Sequence, residues 1–442
     1  MAILGLLNSE QFQSERFKNV RRSVFYFYPN GAAPMTGLLS MLKEEDTDDP
    51  EYNWWEKRLS KQSSLTVANT TGAFANTSNV DLSNPFTLAA DALFRLAVAD
   101  ATMFRVGHMV QVTVGSVKIQ ANVTNIFSST TPNRIELRPI AAVPSTVNTV
   151  ATVGLEVLVI GSAFRQGIVD NSSAIYNKPI NPSNFAQIFR TPFSITGTAL
   201  KTGVKYDESG AYKDLAKESS VYHMIEMEKA FLFGGKSSSV DASTGLPTYT
   251  TGGILWFLEQ WEAAASVYRG ASSSALTNDA DDDKRIITNS TGAIDEKTYD
   301  AYLERVFRVT NNISNEKLVF CGSGFLNTIN QLYKSKSCLT TDLPMTDTYG
   351  MNVVKHTTPF GTIYYKSHPL FSQNDTLRYN AMFLDVQNMK YRYMQGRDTE
   401  LLKNRQPNDA DYRKDEYLTE AGMELLFPES FMYLQNVRSY NP

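Results

Sequence analysis

The chain has 442 residues, with 42% hydrophobic, 20% charged and 11% aromatic side chains, a composition that excludes disordered and collagen-like classes. Lys and Arg total 42 against 46 Asp and Glu, for a net charge of -4, so there is no basic excess to neutralise nucleic-acid phosphates. At about 150 residues per domain the length sets a prior of roughly three domains.

The start, MAILGLLNSEQFQSERF, lacks a basic n-region, and Asn8, Ser9 and Glu10 interrupt the apolar run too early for a signal peptide. Short runs rich in apolar residues, such as Leu155 to Ile160, fall well short of the roughly 20 residues a membrane span needs. The expectation is a protein made in a cytoplasm, with no membrane partner.

Residues 1 to about 60 read as an arm, broken by Tyr28-Pro29-Asn30-Gly31 and by the acidic run Glu44, Glu45, Asp46, Asp48, Asp49. Met35, Leu38, Leu39 and Leu42 recur at helical spacing, and such an arm is expected to lay its apolar face on something outside itself. Trp54 and Trp55 are adjacent, so on a strand they point to opposite faces, and at least one should pack elsewhere. Leu65 to about Val80 is rich in Thr, Ala, Asn and Ser and reads as an extended loop.

From Arg105 to Arg165 there are seven charges, about half the chain's average density, and short β-rich runs at 109–114, 117–123, 134–138 and 157–160 are separated by Gly and Pro. This reads as a small all-β module inserted into the loop. Asn184 to Ala199 follows, with Phe189, Thr191, Phe193 and Ile195 alternating onto one face of a long strand. Tyr212 to Phe233 is the strongest helix: Leu215, Tyr222, Ile225 and Leu232 set its period, and Gly234-Gly235 stops it. A second helix is expected over Asp295 to Asn311, then a buried strand at Leu318 to Cys321 and a helix to Tyr333. Strands follow at 352–356, 361–366, 381–385 and 390–394, and two long ones lie either side of Phe427-Pro428-Glu429.

No catalytic constellation emerges. Gly234-Gly235-Lys236-Ser237 ends like a phosphate-binding loop, but Ala230 stands where its first glycine belongs, and these glycines end a helix, where the partial charge repels phosphate. Asp279 to Asp283 starts like a calcium loop, but Lys284 and Ser290 occupy the glycine and glutamate positions. Cys321 precedes a helix, yet sits on an apolar strand with no histidine near, and Ser323 lacks the nucleophile-elbow spacing. His108, His223, His356 and His368 are dispersed and read as ordinary packed residues. Cys321 and Cys338 read as reduced thiols, one disulfide being the alternative. No catalytic, cofactor or metal site is assigned, and the reading is not an enzyme. A secreted carbohydrate-active enzyme would need a signal peptide and a paired-carboxylate motif that are not found.

Three stretches carry a family resemblance: Phe27-Tyr28-Pro29-Asn30-Gly31-Ala32-Ala33-Pro34 with Asp49-Pro50-Glu51-Tyr52-Asn53-Trp54-Trp55-Glu56-Lys57-Arg58, then Gln187 through Ala199, then Thr419 through Phe431. In this order they resemble the major capsid proteins of tailed bacteriophages, the coat fold of the Hong Kong phage type shared with encapsulins. The resemblance implies an α+β subunit with an N-terminal arm (1–53) and an extended β-hairpin loop (54–204) that includes the inserted all-β module (105–163). It further implies a long spine helix with a peripheral domain (205–312), an axial domain (313–380), and closing strands of the peripheral domain (381–442). It implies no cofactor. The partners would be other copies of the chain in hexamers and pentamers of an icosahedral virion shell, portal, scaffold and cement or decoration proteins, and packaged double-stranded DNA. An encapsulin-like compartment holding a cargo protein is the alternative.

Overall fold

The computed structural model describes residues 34–39, 44–57, 63–70, 72–82, 86–128, 130–147, 153–164, 179–202, 211–263, 284–308, 315–335, 345–348 and 351–441. Its centre is the long helix Ala211–Phe233, laid across a sheet whose strands run in the order Glu44–Thr47, Met389–Met394, Tyr412–Leu425, Gln187–Thr196. Gln187–Thr196 pairs antiparallel with Tyr412–Leu425 over ten residue pairs, from Gln187 opposite Ala421 to Thr196 opposite Tyr412. Alternation along it turns Phe189, Phe193 and Ile195 inward, as the sequence predicts, and Phe189 meets Phe231 of the helix edge-on.

The helix has its predicted extent but presents a different face. Ser219, His223, Met227, Glu228, Phe231 and Leu232 are buried, whereas Tyr222 is 53% exposed and Leu215 and Ile225 are half-buried. Three of the buried six are polar, and His223 and Glu228 find their partners in other elements; of the apolar residues that set the predicted period only Leu232 is fully buried. Gly234, just past the helix end, has no room for a side chain: a Cβ there would lie 2.4 Å from the Ala230 carbonyl oxygen and 2.7 Å from that of Thr251.

The second lobe is a seven-stranded mixed sheet in the order Ile286–Thr288, Met432–Gln435, Ala381–Leu384, Glu316–Cys321, Thr362–Ser367, Met351–Thr357, Met345–Thr348. Glu316–Cys321 runs parallel to Thr362–Ser367 and antiparallel to Ala381–Leu384. Val319, Cys321, Ile363 and Phe383 face the helices Glu296–Arg308 and Ser323–Ser335. Leu318, Phe320, Met382 and Leu384 face the main core with Phe231 and Phe257. A strand buried on both faces reads as an unbroken apolar run, which is why Leu318 to Cys321 is legible in the sequence. Of the strands after residue 380, Ala381–Leu384 and Met432–Gln435 lie in this mixed sheet, whereas Met389–Met394 and Tyr412–Leu425 lie in the sheet beneath the long helix. Apolar content marks a strand but does not name its sheet.

The β module is larger than the charge-poor stretch. Its antiparallel sheet runs Ser63–Leu65, Glu156–Ser162, His108–Val114, Val117–Phe127, Asn133–Pro139, Phe94–Val98, Phe74–Ala75, and so draws three strands from before residue 105. Part of the Leu65 to Val80 loop is therefore sheet: Phe74 is fully buried, stacked on Phe94 and tilted against Phe86. The module has a core of its own, from Ala73 to Val157. Its two connections to the rest of the chain lie side by side: Glu56 and Ile180 exchange backbone hydrogen bonds at 3.0 and 2.9 Å, and Trp54 N–H donates to the Pro182 carbonyl.

Most of the arm lies outside the described residues, as do Asp279 to Asp283 and Cys338. Where the arm is described, its apolar face is laid on the rest of the chain, outside the arm itself. The helix Pro34–Leu39 buries Met35, Leu38 and Leu39 in the chain's own core, and the acidic run forms the edge strand Glu44–Thr47, parallel to Met389–Met394. Trp54 and Trp55 do point apart. Trp54 is buried against Phe257, and Trp55 is 69% exposed.

Candidate assembly surface

The residue types that suggest chemistry are used for architecture. His223 is held between Thr191 Oγ1 (2.9 Å from Nδ1) and Thr419 Oγ1 (2.8 Å from Nε2), which ties the long helix to two strands. His368 donates from Nε2 to the Glu228 carboxylate at 2.6 Å and accepts at Nδ1 from Leu370 N–H. Met35 N–H also donates to Glu228, so this fully buried carboxylate joins the arm, the helix and the mixed sheet. Lys236, the lysine of the phosphate-loop look-alike, donates to Ser183 Oγ and O at 2.6 and 2.9 Å and stands 3.6 Å from Glu51. Burial pushes the Cys321 thiol up to about 12, so it is not a nucleophile at neutral pH.

His356 packs on Tyr333 beside a cleft of about 400 Å³ between the helix Ser323–Ser335 and the mixed sheet. Apart from the imidazole, its lining is aliphatic, tyrosine, serine and asparagine, without a carboxylate to pair for acid–base work. Among the described residues no group of three His, Cys, Asp or Glu could hold a metal ion, and no helix is long and apolar enough to cross a membrane.

Burial lowers the pKa of His108, His223 and His356 below the ordinary 6.5, the Arg105 charge adding to the effect at His108. The unfolded chain therefore takes up protons in a range where the folded chain does not. Stability contributed by these groups is complete above about pH 6.5 and falls as pH drops toward their folded values. The urea midpoint of the dissociated subunit is expected to be lower at pH 5.5 than at pH 7.5, and His223→Gln should shrink that difference. A midpoint that rises on acidification would contradict this sign.

The sheet face away from the long helix carries an ionic lattice that sequence reasoning missed. Glu416, Glu420 and Glu424 recur every fourth residue on Tyr412–Leu425 and so share one face. Arg190 (2.6 Å) and Arg405 (3.2 Å) bind Glu416, Arg397 (2.8 Å) binds Glu420, and Lys390 (3.1 Å) and Arg392 (2.7 Å) bind Glu424. Arg392 continues to Glu45 at 2.6 Å and so holds the arm's edge strand. Burial alone would raise the Glu416 carboxyl, but the hydrogen bonds and charges of Arg190 and Arg405 outweigh it and hold it low. The four-residue period was readable in the sequence; which cations meet it depends on segments as far as 226 residues apart.

With the buried groups accounted for, what remains for function is surface. The described residues define a structural subunit whose chemistry lies in contacts, with exposed apolar groups at Trp55, Val240 and Leu246, and at Ile140 and Phe164 of the module. The chain belongs to the SU10 major capsid protein family, whose model matches residues 8–438. This bears out the resemblance to tailed-phage major capsid proteins of the Hong Kong phage type and makes the chain a self-assembling structural protein of the capsid, not an enzyme. A major capsid protein of Pseudomonas phage PaMx41 is 23% identical over 411 residues, covering 90% of this chain and 84% of that protein. Among solved structures, that of Mycobacterium phage Adephagia covers 99% of this chain and 98% of its own at 8% identity and a TM-score of 0.40. The holo-SrpI encapsulin complex from Synechococcus elongatus PCC 7942 covers 60% of this chain and 80% of its own at 9% identity and a TM-score of 0.39.

Proposed function

We propose that copies of this subunit form the hexamers and pentamers of an icosahedral virion shell around phage double-stranded DNA, made in the host cytoplasm. The carrying observation is the family match over residues 8–438. In this reading residues 1–53 are the arm, 54–204 the extended loop with its β module, 205–312 the spine helix and peripheral domain, and 313–380 the axial domain. Residues 381–442 supply the closing strands of the peripheral domain. Portal, scaffold and cement or decoration proteins are the further partners.

The charge supports containment without grip. At -4 overall, and with Arg190, Arg392, Arg397 and Arg405 held by Glu416, Glu420 and Glu424, the subunit carries no net positive charge to fix the phosphate backbone. Multiplicity supplies strength, because weak contacts repeated around a closed shell act together. Electron microscopy of the chain expressed with its genomic neighbours is expected to show closed shells with fivefold and sixfold capsomers. Particles from an infected host should hold nuclease-protected DNA. A stable monomer that never assembles would overturn the shell, and particles filled with an enzyme would overturn the DNA.

A further inference from the structure

Between the end of the long helix and the buried Thr251, the chain forms an antiparallel finger, Ser237–Val240 against Pro247–Thr250. Its base is fixed. Thr250 Oγ1 donates to the Gly235 carbonyl at 2.7 Å, and Tyr249 packs on Phe185, over which the Lys236 ammonium also lies. Its tip is closed by Asp241, whose carboxylate accepts from Ser243 N–H, Ser243 Oγ and Thr244 Oγ1 at 2.9, 2.8 and 2.7 Å. Gly245, at φ +70°, completes the turn in a conformation other residues rarely adopt. A finger anchored and capped in this way is a formed element.

Every residue from 237 to 248 is nonetheless exposed, with Val240 at 66% and Leu246 at 65%. A two-stranded hairpin alone in water is marginal, and exposed edges are ordinarily guarded by lysine or other charges. Residues 237–250 carry a single charge, Asp241, and it is engaged in the turn. Pro247 blunts one edge; the Ser237–Val240 edge has no guard. The composition also selects the partner. A finger without a cation does not hold phosphate, and its apolar tip and open backbone edge fit an uncharged recess with backbone groups to pair.

We propose that this finger docks on a second copy of the chain, with Val240 and Leu246 seated in an apolar recess of the neighbour. The choice of partner rests on the shell reading above, since a self-assembling subunit meets its own surface more often than any other.

The test compares the full chain with the double variant Val240→Asp, Leu246→Asp, and places a benzophenone side chain at position 246 in a third sample. Circular dichroism and melting of the dissociated double variant should match the parent, while particle yield falls roughly tenfold or more, because each lost contact is repeated around the shell. On illumination, assembled particles should give a product of twice the chain mass whose cross-linked peptides both belong to this sequence. Parent-like yield and particle stability in the double variant, or cross-links confined to one chain, would overturn the docking. The cross-link decides the matter even if the double variant folds poorly. A parent that forms no particles overturns the shell reading itself, and the partner assigned to the finger with it.

Discussion

Excision of residues 58–178, with a short Gly-Ser linker in their place, is expected to leave a folded, soluble subunit, whereas excision of 105–163 is expected to leave an aggregating one. The first cut falls where the strands are already paired: Glu56 and Ile180 exchange two backbone hydrogen bonds, and Glu51–Asn53 pairs with Ser183–Phe185 just beyond. It removes the module's whole core, Ala73 to Val157, and touches neither of the other two. The second cut removes His108–Val114, Val117–Phe127, Asn133–Pro139 and Glu156–Ser162, and leaves Phe94–Val98 and Phe74–Ala75 without their sheet. Phe74, Phe86, Phe94 and Leu96 would then meet water, having been at most 2% exposed.

At about 1.5–3 kcal/mol for each large apolar side chain, these four amount to a large share of the roughly 5–15 kcal/mol that holds a typical domain together. Soluble yield and near-ultraviolet dichroism of the two deletions decide the matter. Equal solubility would mean that the strands before residue 105 fold without the rest of the sheet. A soluble 58–178 deletion also isolates the module's role: particles that assemble but rupture at lower temperature would assign it to shell reinforcement.

The pair of deletions marks where sequence reading stops. Strands rich in β-branched residues, such as His108–Val114 and Val117–Phe127, announce themselves by composition and alternation. Phe74–Ala75 and Ser63–Leu65 are two and three residues long in a Thr- and Asn-rich setting, and only their partners make them strands. The long helix shows the same limit. Its length and its glycine stop are local properties, but its buried face depends on Thr191, Thr419 and His368, which sequence places far away. Arginines and glutamates are plain in the text of the chain, and the lattice they build is not, since a strand's partners are chosen by topology.

The buried pair Lys317–Asp385 leads to the second large effect: Asp385→Ala is expected to cost about 3–5 kcal/mol of subunit stability. Lys317 is 1% exposed and Asp385 4%, with Nζ donating to Oδ2 at 2.7 Å and to the Ser430 carbonyl at 3.1 Å. These three residues belong to a strand of the mixed sheet, the segment after Ala381–Leu384, and the turn before Met432–Gln435. Burial lowers the Lys317 ammonium pKa, the Asp385 charge opposes this, and nearby Arg285 adds to the lowering. Removal of the carboxylate leaves the burial and the like charge unopposed.

The sign in pH follows. In the variant, the folded lysine releases its proton at a lower pH than the unfolded chain, so the deficit is full at neutral pH and shrinks as pH rises toward the ordinary lysine value of about 10.4. Urea melts of parent and variant at pH 7 and pH 9.5 read this directly. The double change Lys317→Met, Asp385→Leu removes both charges at similar volume and should restore stability to within about 1 kcal/mol of the parent or exceed it. A single Asp385→Ala costing under about 1 kcal/mol, the ordinary value of an exposed pair, would mean that water reaches Lys317 and that the junction of these three segments opens in solution.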